Sequence, residues 1–153
     1  MRFFTMRQQR DDVRRLLSRY GNRDFLRLVR FGPRTESRGV FCRPVWIIPL
    51  DNGRPEFGAM FPALTKDMHP EWLCIVHHSP IESSPVWVAI DHEDQVQIVN
   101  CRVAHSTSLG LGFVLIGLHA TEVIDPGPLA IHEFRREAAD RVADQVETAS
   151  GCR

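Results

Sequence analysis

The chain has 153 residues, 43% hydrophobic and 25% charged, with no net formal charge. That suits one domain with a real core and excludes a chain too polar to fold. No run approaches the roughly 18 consecutive apolar residues of a membrane span, and the opening MRFFTMRQQRDDVRR lacks an apolar signal core, so a cytoplasmic location is expected.

Residues 1–38 carry eleven Arg against four acids, while the remainder carries eight basic residues against fifteen acids. Such an arm can meet phosphates, nucleic acid or an acidic partner, or it can lie on its own domain. Val13, Leu16, Leu17 and Tyr20 follow the i, i+3, i+4, i+7 spacing of an amphipathic helix that Gly21 is placed to end.

The period then changes. VFCRPVWIIPL (40–50) and FGAMFPALTKD (57–67) flank Asp51-Asn-Gly-Arg54, whose Asn-Gly is a strong hairpin signal. WLCIVHH (72–78), PVWVAID (85–91), QVQIVNCRVAH (95–105) and GLGFVLIGLH (110–119) follow. Six strands in succession with tight turns predict a small antiparallel barrel or meander, with Val45, Ile47, Val86, Val88, Ile98 and Ile116 facing one core. The glycines of SLGLGFVLIG make no phosphate loop and are expected to ease bending or close strand approach at a barrel corner. After the breaker Asp125-Pro-Gly-Pro128, the stripe Ile131, Phe134, Ala138, Val142, Val146 predicts a helix of roughly 18 residues with one buried face.

Cys42, Cys74, Cys101 and Cys152 stand far apart, without a zinc or disulfide spacing. The first three read as small buried hydrophobes and Cys152 as an exposed tail residue. Histidines are numerous, but no HExxH, GxSxG or DxD frame accompanies them. His77 and His78, as strand neighbours, are expected to point to opposite faces, one partly buried and one exposed. A small-barrel enzyme using His69, His77 or His105 with Asp67 would require two of those rings and the carboxylate to share one pocket. A nucleic-acid-binding barrel using the Arg-rich arm is a further alternative.

The order of features over residues 38 to about 123 resembles the PilZ domain family. Members carry RxxxR, often RRxxxR, before the first strand and DxSxxG after the second, and a glycine stands near the apolar end of the last strand, as Gly117 does here. The resemblance implies a mainly β fold: a six-stranded antiparallel PilZ-like β-barrel (38–124) between an Arg-rich N-terminal helix and arm (1–37) and a C-terminal amphipathic helix and tail (125–153). It also implies a non-enzymatic bacterial signalling module, without cofactor or metal, that binds cyclic di-GMP or serves as an adaptor for a protein partner.

Carried across by position, Arg38 and Arg43 match the outer arginines of RRxxxR, with Gly39 in place of the middle one, and Arg34 with Arg38 gives RxxxR in another register. Asp67 holds the Asp position, His69 replaces Ser, and Trp72 replaces Gly. Ligand contacts are therefore expected from Arg34, Arg38, Arg43, Asp67, His69 and Trp72. Histidine can still hydrogen-bond or stack, whereas the indole is expected to fill the room of a guanine base and weaken binding, the alternative being that it offers the base a stacking face.

Overall fold

The structure, a computed structural model, describes residues 8–17, 39–40, 43–69, 71–92 and 95–150. Helix α1 occupies 8–17; the expected helix end at Tyr20 and Gly21 lies outside the described residues. Eight strands follow: β1 (Gly39–Val40), β2 (Pro44–Asp51), β3 (Arg54–Pro55), β4 (Phe61–His69), β5 (Trp72–His77), β6 (Val86–His92), β7 (Gln95–Gly110) and β8 (Phe113–Ile124). Helix α2 runs Gly127–Ser150.

All the pairings are antiparallel, and six strands pair in a cycle: β2 with β4, β4 with β5, β5 with β8, β8 with β7, β7 with β6, and β6 with β2 again. The expected count of six thus becomes eight, because the two-residue strands β1 and β3 add to the edges of β4 and β2. The turn after β2 has Asn52 at φ 49° and Gly53 at φ 78°, the left-handed pair of a type I′ hairpin. Its return strand is interrupted by a 3-10 turn at Phe57–Ala59, so β2 meets β4 only from Phe61 onward.

Two apolar layers follow from the alternation. Inside the ring, Val45, Ile47, Ile75, Val86, Val88, Val99, Ile116 and Leu118 pack together, and Val13, Leu16 and Leu17 of α1 join them. On the outer side of β2, β6 and β7, Ile48, Ala89 and Ile98 are buried beneath Phe134 of α2, with Phe57 and Met60. Ile98 therefore belongs to the outer layer and not to the inner core expected for it. Strands covered on both faces need apolar residues at both parities, which accounts for the unbroken runs VWII and VWVAI.

Helix α2 has 24 residues, longer than the 18 expected. The Asp125 carboxylate accepts a hydrogen bond from the Gly127 amide at 3.2 Å, beside the helix start. Ile131, Phe134 and Ala138 pack on the outer layer, but Val142 and Val146 are exposed, so only the first half of the expected stripe is buried.

The SLGLG glycines make the β7–β8 turn rather than a corner within a strand. Gly110, Leu111 and Gly112 have φ of 82°, 54° and 79°, a left-handed run that two glycines make accessible. No helix among the described residues is long and apolar enough to cross a membrane.

Candidate functional site

Two bulges build a groove on the outer face. In β4, Thr65 pairs with Ile75 and Asp67 with Cys74, leaving Lys66 as an extra residue. Ala63 and Thr65 are buried before this bulge and Met68 after it, so the inward parity changes and Asp67 and His69 turn outward together. Trp72 stands opposite His69 in the β4–β5 ladder and opposite His119 in the β5–β8 ladder.

The second bulge lies in β7, where Val103 pairs with Leu118 and His105 with Gly117, leaving Ala104 unpaired. The His105 ring lies across Gly117: a Cβ added there would stand 2.1 Å from His105 Cε1. Glycine is what lets the imidazole lie this close to β8.

Lys66, Asp67, His69, Trp72, Cys74 and His105 are brought together around a groove of about 630 Å³, with Leu115 and Gly117 among its remaining walls. Trp72 is 39% exposed and its ring lies 4.8 Å from that of His119 at a tilt of 46°. The indole thus forms one wall of an open groove. His69 Nδ1 is buried without a hydrogen-bond partner among the described residues. A ring nitrogen in that condition is suited to a ligand or an ordered water.

The turn between His69 and Trp72 is tethered from two sides. The Glu71 carbonyl accepts a hydrogen bond from the Ala120 amide at 2.9 Å. Its carboxylate accepts from Arg10 Nε at 2.5 Å and from Arg14 Nε at 2.9 Å. The Arg10 hydrogen bond, opposed by desolvation and reinforced by the charges of Arg10 and Arg14, holds the Glu71 carboxyl down to about 2. Part of the Arg-rich arm is thus engaged with its own domain. Gln9 Nε2 adds a 3.0 Å hydrogen bond to Glu122 on β8.

Of the residues expected to touch ligand, Asp67, His69 and Trp72 share the groove. Arg43 is half-buried beside the start of β2 and does not line it; its amide donates to Thr65 Oγ1 at 2.9 Å, and Thr65 Oγ1 donates to its carbonyl at 3.2 Å. Arg34 and Arg38 lie outside the described residues; Gly39, next to Arg38 in sequence, pairs with Met68.

Among the other histidines, His105 joins the groove. His77 packs instead against Phe61, with ring centroids 4.4 Å apart, and its Nδ1 accepts from the Ser79 amide at 3.2 Å. The His77 and His78 rings lie 4.0 Å apart, not on opposite faces, because β5 ends at His77 and the chain bends. His77 is half-buried and His78 exposed, as expected. Cys101 is fully buried, and burial pushes its thiol up; Cys74 is a half-buried groove residue rather than a core one. Cys42 and Cys152 lie outside the described residues.

Lys66, Cys74 and His119 were not expected at a site. Cys74 follows Trp72 by two residues on β5 and so shares its face, whereas His119 is placed only by the β5–β8 register. No family model, no curated protein and no solved structure matches the chain.

Proposed function

We propose that this chain is a PilZ-like, non-enzymatic module of bacterial signalling, and that its groove takes cyclic di-GMP through altered contacts. The observation that carries this reading is the convergence of Asp67, His69 and Trp72 on one open groove. The closed cycle of six strands, which in this reading is the PilZ barrel, supports it as well. The indole serves as a stacking wall for a guanine base, His69 as a hydrogen-bonding edge, and Asp67 as an acceptor for base N–H groups.

The test is a calorimetric titration with cyclic di-GMP, with GTP and cyclic di-AMP as controls. Saturable binding of cyclic di-GMP, weakened roughly tenfold or more by Trp72→Ala, is the expected result. Tighter binding in a Trp72→Gly, Gly39→Arg variant would show that the indole blocks the ligand. Failure of all three nucleotides to bind would leave the protein-adaptor function in place of ligand sensing.

One observation favours a second reading. Asp67, His69 and His105 line the same groove, as a small-barrel enzyme would require. No hydrogen bond joins the three among the described residues, and no group of three metal-ligating side chains gathers there. Turnover of a groove ligand that is abolished by both His69→Ala and His105→Ala would establish this reading over the first.

A further inference from the structure

Strand β7 outruns its neighbour. Strand β6 covers it from Gln95 to Cys101, and beyond that point residues 102–110 pair with β8 alone among the described residues. The Val103 amide is taken by Ser84 Oγ at 3.2 Å, and from Ala104 to Gly110 every residue is exposed. This stretch, Ala-His-Ser-Thr-Ser-Leu-Gly, has no proline and no Lys, Arg, Asp or Glu.

Proline and charge are two of the devices that keep an open edge from pairing; the extra residues Ala104 and Leu109 bound the regular part of this edge, His105–Ser108. Alternate N–H and C=O groups of a one-sided strand point sideways and can complete a further ladder. The hairpin also ends in exposed apolar residues: Leu109, Phe113 and Leu111, the last 99% exposed. An edge of this kind, next to an apolar tip, is shaped for a strand from another chain.

The geometry points to a second copy of this chain as that strand, joined antiparallel, edge to edge, through the regular stretch 105–108. Identical edges related by a two-fold axis satisfy each other's backbone groups, and the closed symmetry stops at two chains. The edge has no charge with which to select an acidic or basic foreign strand, and no like charges meet when it pairs with itself. With the axis at Thr107, each Ser106 falls opposite the other copy's Ser108, so small polar side chains meet across the seam.

The test is sedimentation equilibrium of the full chain over a range of concentrations, with hydrogen exchange measured on the same samples. The wild type is expected to approach twice the chain mass, and amide exchange in 105–108 to slow as concentration rises. Thr107→Lys with Leu109→Lys is expected to raise the dimer Kd at least about tenfold, as is the matching pair of Glu substitutions. An equimolar mixture of the two variants is expected to recover a one-to-one dimer. Circular dichroism matching the wild type shows that both variants fold. A wild type at the chain mass throughout would overturn the proposal, as would dimers indifferent to the Lys pair. Exchange protection of 105–108 that does not vary with concentration would also overturn it, assigning the edge to the protein's own residues, such as 18–38.

Discussion

Replacing Glu71 by Gln keeps the size of the side chain and removes its charge, which isolates the ionic part of the clasp that ties α1 to the turn before Trp72. Folding lowers the Glu71 carboxyl from 4.5 to about 2, a depression equivalent to about 3 kcal/mol if no screening applied. The Glu71 side chain is only 13% exposed, but those of Arg10 and Arg14 are 64% and 51% exposed. Water and salt around the guanidinium groups reduce the figure to ~1–2 kcal/mol. Because the folded-state value is the lower one, this stability is fully present above the unfolded value of 4.5 and is lost as pH falls toward about 2. Urea denaturation should therefore show Glu71→Gln less stable than wild type by ~1–2 kcal/mol near neutral pH, with the difference shrinking through the acid range to nothing near the folded value. A deficit that stays constant into acid would show that the loss comes from shape or packing. Equal stability near neutrality would show that the clasp contributes nothing.

Two other substitutions probe how the groove is held. Thr65→Val removes the hydroxyl that both accepts from the Arg43 amide and donates to its carbonyl, within a buried site; a loss of about 1–3 kcal/mol in chemical denaturation is expected. Gly117→Ala puts a Cβ where the His105 ring lies, so the ring must swing away from β8. A changed His105 imidazole proton shift is expected, with a stability cost within about 1 kcal/mol because the ring is free to move into solvent, and His105→Ala should cancel that cost in a double-mutant cycle.

Much of the architecture is local and was legible along the chain. Val13, Leu16 and Leu17 lie on one face of a helix whatever they pack against, and Asn52-Gly53 favours a type I′ turn wherever it stands between strands. The apolar runs of β2, β6 and β7 announced strands for the same reason. The unbroken runs of β2 and β6 admit cover on both faces, but only the docking of Phe134 decides which parity is the outer one, so Ile98 lies beneath α2 and not in the inner core. Nor could the stripe of α2 reveal how much of it packs on the outer layer, with Val142 and Val146 exposed. The site depends still more on tertiary structure. Asp67, His69 and Trp72 come from the family resemblance, and Cys74 follows Trp72 on the same face of β5, but His105 and Gly117 reach them from β7 and β8, with extra residues at Lys66 and Ala104 setting which side chains turn outward. A bulge reverses which face every later side chain takes, and its position is set by pairing between distant strands, which no local pattern records.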